Sequence, residues 1–153
     1  MEMYFRTVEG QLVHIQEHTM EQLKKYPNLK ITIGTDSQNY GNVTRFVTVI
    51  AYRYSIRGAH YIFLKEDCPR ISVDYLRLYE EGTRTIQTFE MLTGEIPISV
   101  EGLEFDYSDT KRTISNKLVS DFKGWVSGLG ERAIFKSGEM IATRAADHVC
   151  RRG

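Results

Sequence analysis

The chain has 153 residues, 41% hydrophobic and 26% charged, the size and balance of one globular domain. Lys plus Arg number 20 and Asp plus Glu number 20, so no net charge draws the whole molecule to nucleic acid or to an anionic membrane. No apolar run has membrane-spanning length, two cysteines are too few for a disulfide framework, and Met1-Glu2-Met3 is unlike a secretory signal. The expectation is a single domain over residues 1–153, cytoplasmic and without a membrane partner.

The N-terminal stretch reads as an extended lead-in, then a short helix from Ile15 to Tyr26 closed by Pro27-Asn28. Ile31 to Thr35 is a β-branched run that predicts a buried strand ending in Gly34-Thr35-Asp36-Ser37. After the turn at Asn39-Tyr40-Gly41-Asn42 come a long strand, Arg45 to Tyr54, and a third, His60 to Lys65. Short polar turns between them make an antiparallel meander. Ser72 is placed to cap a helix to about Leu92, with Leu76, Tyr79, Thr83 and Ile86 on one side.

Ile98 to Asp106 alternates like a strand. From about Thr110 a helix carries Ile114, Leu118, Phe122 and Trp125 as an apolar stripe, which puts Phe122 and Trp125 in the core. Gly128-Leu129-Gly130 stops it. Ala133 to Phe135 is a short strand, and Glu139 to Cys150 an Ala-rich final helix. Hairpins followed by helical crossovers predict an α/β domain with a five-stranded mixed sheet and helices on its faces.

The chemistry lies in the acids at strand ends. Asp36 is expected to close the first long strand and Asp106 the fourth. Adjacent and parallel, those strands would bring both carboxylates to one carboxyl edge, where α/β sheets hold ligands. Glu80 and Glu81 lie midway along the first long helix and Asp147 on the last. Clustered carboxylates repel one another, and a hard divalent cation is the usual reason a fold tolerates them. Glu80 and Glu81 fall near opposite borders of the polar face, so periodicity alone leaves both open.

Ile33-Gly34-Thr35-Asp36-Ser37-Gln38, followed by Phe46-Val47-Thr48-Val49-Ile50, resembles the opening of the ribonuclease H-like YkuK family. The resemblance continues through Arg77-Leu78-Tyr79-Glu80-Glu81, Leu103-Glu104-Phe105-Asp106 and Gly128-Leu129-Gly130, and ends in Lys136-Ser137 through Ala145-Ala146-Asp147. It implies a ribonuclease H-like fold with sheet order 3-2-1-4-5 and an acidic site for Mg²⁺ or Mn²⁺. Position by position, the implied metal ligands and catalytic groups are Asp36, Glu81, Asp106 and Asp147. Ser37, Gln38 and Lys136 are the implied substrate contacts, Lys136 because it would sit at a strand end on the acidic rim. The family's usual Lys-Pro-Asp before the last helix is here Lys136-Ser137-Gly138, which removes one carboxylate.

The implied activity is metal-dependent phosphodiester hydrolysis on nucleic acid. A non-catalytic nucleic-acid-binding module is the first alternative, favoured by the neutral charge and the missing carboxylate. A zinc hydrolase is the second, because His14-Ile15-Gln16-Glu17-His18 fits H-x-x-E-H, in which two histidines share a helix face with a Glu as base. His148 beside Asp147 is a candidate proton shuttle. Arg144 and Arg151, in a locally basic C-terminal half, read as solvated charge, and Cys68 and Cys150 receive no role.

Overall fold

The structure is a computed structural model that describes residues 3–55, 58–94, 96–105, 112–130, 135–136 and 141–151, with only the backbone described for 112–116 and 135–136. In chain order the elements are β1 (Tyr4–Arg6), β2 (Leu12–His14), α1 (Ile15–Lys25), β3 (Lys30–Tyr40), β4 (Val43–Arg53) and β5 (Ala59–Pro69). Then come α2 (Asp74–Thr93), β6 (Gly102–Glu104), α3 (Arg112–Gly128), β7 (Phe135–Lys136) and α4 (Ile141–Arg151). The domain is mixed α/β, as expected.

The sheet differs from the expectation of five strands in the order 3-2-1-4-5. Among the described residues it has seven, in the order β2-β1-β5-β4-β3-β6-β7. The two additional strands come from the supposed lead-in: β1 pairs antiparallel with β2 and, through Arg6, with Phe63 of β5. Gly10 turns that hairpin at φ +91°, which a residue with a Cβ adopts only under strain. A three-residue strand is too short for periodicity to reveal it.

β3, β4 and β5 form the predicted meander, each eleven residues long. β3 pairs antiparallel with β4 and parallel with β6, and β6 parallel with β7. Both faces are covered, which explains why apolar residues occupy both faces of β4 from Phe46 to Tyr52, with only Thr48 between them. Ile50 and Tyr52 face one core with Ile31, Ile33, Ile86 and Phe122, while Val47, Val49 and Ala51 face another with Ala142, Ala146 and Val149 of α4. Among the described residues no helix is long and apolar enough to cross a membrane.

Several local expectations need correcting. β3 does not end at Asp36 but continues to Tyr40, because its antiparallel ladder with β4 runs unbroken to the turn. Ser72 does not cap α2; Val73 occupies that position, without a side-chain hydrogen bond. The buried side of α2 is Leu78, Glu81, Gly82, Thr85, Ile86 and Phe89, whereas Leu76 and Tyr79 are exposed. Gly82 explains the rotation: a Cβ there would stand 2.4 Å from the Phe122 ring, so α3 packs directly on the glycine. Phe122 is fully buried, but Trp125 is 38% exposed and stacks over Phe122 instead of entering the core.

Candidate functional site: an acidic crevice lined by arginines

β6 pairs only with Thr32 to Gly34 of β3 and ends at Glu104. Asp36, Ser37 and Gln38 thus lie beyond the carboxyl end of this parallel neighbour, the position where open α/β sheets receive ligands. Alternation along the unbroken β3 ladder sends Asp36 to the α4 side and Ser37 to the α2 side. The two helices reach this segment from opposite faces of the sheet. Between them lies a crevice of about 400 Å³ lined by Asp36, Ser37, Gln38, Arg77, Glu81, Thr143, Arg144, Asp147 and Arg151 among others.

Three of the four predicted acids, Asp36, Glu81 and Asp147, line this crevice. Glu81 is 4% exposed and its Oε2 accepts a short hydrogen bond from Ser37 Oγ, at 2.5 Å. The Arg77 guanidinium, one helical turn earlier, donates to Ser37 Oγ at 2.7 Å and lies 3.7 Å from Glu81. On the other side, Asp147 accepts from Gln38 Nε2 at 3.4 Å and from Arg151 Nε at 2.9 Å. Glu80, the alternative helical acid, points to the surface and pairs with Arg84 at 3.2 Å. The geometry therefore brings Glu81 into the crevice and leaves Glu80 outside it.

Cys150 of α4 lies close enough to feel all three acids. Burial pushes its thiol up to about 12, and the carboxylates of Asp36, Glu81 and Asp147 push the same way, opposed by Arg45. Its Sγ–H donates to the Asp36 carbonyl at 3.6 Å, so the thiol forms part of the floor beneath the acids. It is held protonated, which makes it structural rather than nucleophilic.

How α4 comes so close depends on Gly34 and Glu104. A Cβ on Gly34 would stand 2.8 Å from Thr143 Cγ2 and 3.2 Å from its backbone nitrogen. Glu104, 2% exposed, accepts from that same Thr143 N–H at 3.1 Å and from the Thr143 hydroxyl at 3.5 Å. A carboxylate at the first turn of a helix satisfies an orphan N–H and favours the helix dipole. Sequence reasoning passed over Glu104 as the neighbour of Asp106; its signal was strand alternation, which sets it opposite in face to Leu103 and Phe105.

The other predicted residues stand as follows. Asp106 lies outside the described residues, as do Ser137 and Gly138. Lys136 belongs to β7, but its side chain is not described. Arg77 was missed although its i, i+4 spacing to Glu81 was visible. Arg144 and Arg151 are exposed, as expected of solvated charge, and they also line the crevice. The zinc reading is not supported: His14 caps α1 by accepting from Glu17 N–H at 3.4 Å, while the His18 ring faces His60, Nε2 to Nε2 at 2.8 Å. The two histidines thus have separate partners.

A profile of the family described as Ribonuclease H-like matches residues 12–151. The chain belongs to that ribonuclease H-like family, the one its sequence resembled. No curated protein matches it.

Proposed function

We propose that this crevice binds Mg²⁺ or Mn²⁺ and hydrolyses phosphodiesters of nucleic acid. The convergence of Asp36, Glu81 and Asp147 beyond the end of β6 carries the reading. The donor set fits in kind, since carboxylate oxygens are what hard divalent cations take. As they stand, no three His, Cys, Asp or Glu side chains among the described residues are grouped tightly enough to hold an ion. The proposal therefore counts on Asp106 as a further ligand. Divalent cations, when bound, activate water and stabilise the leaving oxygen of a phosphodiester. Asp36 and Glu81 would hold the cation on the β3 and α2 sides, with Asp147 approaching from α4. Arg77, Arg144 and Arg151 supply the positive charge an incoming phosphate needs in a molecule of zero net charge, with Lys136 as a further contact. Ser37 positions Glu81, and Gln38 positions Asp147.

A non-catalytic nucleic-acid-binding module is the second reading. One observation favours it: Arg77 and Arg151 already neutralise Glu81 and Asp147, as structural ion pairs would. One variant separates the two. A ligand specific for the native state stabilises by RT ln(1 + [L]/Kd), about 2.7 kcal/mol at 100 times Kd, so Mn²⁺ should raise the parent's melting temperature. Asp36→Asn should lose most of that increment together with cleavage of labelled RNA or DNA, while the apo variant melts no lower. An equal Mn²⁺ increment in parent and Asp36→Asn would sink the catalytic reading, and binding without cleavage would favour the module.

A further inference from the structure

At the opposite end of β3 from the crevice, the first rung of the β3–β4 ladder sets Lys30 directly across from Arg53. Like charges directly opposed on a sheet destabilise it. Both residues are exposed, and among the described residues neither side chain makes a hydrogen bond or ion pair. They open onto a cleft of about 290 Å³ whose other walls are Asn28, Tyr54 and Ser55. The Tyr54 ring stacks on Tyr26, centroids 4.5 Å apart and planes 17° apart, with both rings about two-fifths exposed.

Two cations on directly paired positions, neither ion-paired, suit an anion, and an adjacent exposed aromatic pair offers a π-face. Together they match what single-stranded nucleic acid presents, a phosphate chain carrying bases that stack. Alignment adds the remaining argument. Lys30 precedes Asp36 by six positions on an unbroken ladder, so both side chains leave the same face of the sheet, about 20 Å apart at roughly 3.3 Å per residue. That distance is about six nucleotides at the 3.4 Å rise of a duplex strand, and fewer when the strand is extended.

We propose that the Lys30–Arg53 cleft is a second nucleic-acid contact, which grips the backbone of a single strand at a distance from the acidic crevice. The choice of nucleic acid over other phosphates rests on the reading of the crevice given above; the anion site itself does not.

The test is fluorescence anisotropy of a labelled single strand of about twelve nucleotides, as RNA and as DNA, in EDTA so that no divalent cation takes part. Lys30→Ala/Arg53→Ala should weaken binding by about tenfold at low salt. The slope of log affinity against log salt should fall by about 1.4, two phosphate contacts at roughly 0.7 each. Lys123→Ala, on the exposed side of α3, should change affinity by less than about twofold. Because the double variant relieves repulsion, it should melt no lower than the parent; if it melts lower, Lys30→Gln/Arg53→Gln carries the same expectation.

Three results would overturn the proposal: no strand binding by the parent, unchanged affinity in the double variant, or an equal loss in Lys123→Ala. Inorganic phosphate is the second arm. Calorimetric phosphate binding lost in the double variant, with strand affinity unchanged, would mark a free-phosphate site and likewise overturn it. The two proposals fail separately. Strand binding that behaves as expected without Mn²⁺-dependent cleavage removes the chemistry and keeps the cleft. Cleavage with unchanged anisotropy removes the cleft and keeps the chemistry.

Discussion

The two helices that bring acids to β3 do so by opposite means. α2 delivers Glu81 from its buried side, among Leu78, Gly82, Thr85 and Ile86, and locks it with Ser37 and Arg77. α4 presses a small-residue face, Ala142 and Ala146, against Val47, Val49 and Ala51, and offers Asp147 from its rim. The Asp147 side chain is 42% exposed and its partner Arg151 67% exposed. An exposed ion pair of this kind contributes about 0–1 kcal/mol, whereas breaking a buried one costs several. The crevice thus has a fixed wall and an adjustable wall. On the function proposed above, a cation or phosphate would recruit Asp147 and Arg151 cheaply, while Glu81 and Arg77 would set the position to which they adjust.

The strongest way to break the fixed wall is through its backing. Phe122 is fully buried against Gly82, one residue from Glu81. Phe122→Ala should cost about 3–5 kcal/mol by lost burial and a cavity, read by denaturant unfolding. Trp125→Ala, on the same helix but 38% exposed, should cost clearly less. Equal losses would mean that the stacked pair, rather than the Gly82 contact, holds α3.

Next in size is the ion pair itself. Arg77→Met removes the guanidinium beside the buried Glu81 carboxylate and should cost about 3 kcal/mol. Arg77→Met/Glu81→Gln should recover most of this, because the uncompensated charge is gone. A double variant no more stable than Arg77→Met would show that Arg77 acts through packing alone.

How far the sequence announced this arrangement follows from the same residues. The four helices were legible because their period persists over ten or more residues; the three long strands showed as β-rich runs, two of which, Ile31 to Thr35 and His60 to Lys65, were read shorter than they are. The β1–β2 hairpin was not legible, since three-residue strands carry no period. Asp36, Glu81 and Asp147 were all implied by the motif, whereas periodicity alone left Glu80 open beside Glu81, because the choice turns on the rotation of α2. That rotation is set by a glycine meeting an aromatic ring on another helix, a contact between residues 40 positions apart that no local pattern encodes. The roles of Glu104 and Cys150 were not legible for a related reason: the close approach of α4 at Gly34 brings Thr143 to Glu104 and Cys150 to Asp36.

That approach is the way to sharpen the comparison from the adjustable side. Gly34→Val places side-chain atoms where Thr143 Cγ2 and N already stand, and overpacking of this kind costs about 1–3 kcal/mol. Because Asp147 rides on α4, the variant should also lose part of the Mn²⁺ increment, while Glu81 keeps its place. A variant that melts and responds to Mn²⁺ like the parent would show that α4 yields without consequence.

The smallest effect concerns pH, and it arises outside both walls. His18 of α1 and His60 of β5 share one hydrogen bond between their Nε2 atoms, so one ring donates and the other must accept. Burial lowers the affinity of both for protons; His60 and Lys25 add to this at His18, and Lys25 at His60, while Glu21 and Glu9 oppose them. A histidine that binds protons less readily when folded favours the folded state most where the unfolded chain is also neutral, above about pH 6.5. Below that value the unfolded chain gains protons that the folded pair refuses, so stability declines until the folded rings titrate too. Both rings are only partly buried, so solvent screening keeps the loss modest. The melting temperature of the parent should therefore fall gently as pH drops from 7.5 to 5. In His60→Asn, which removes one titrating partner, the slope across this window should flatten. An equal slope in both proteins would show that the acid sensitivity does not arise in the histidine pair.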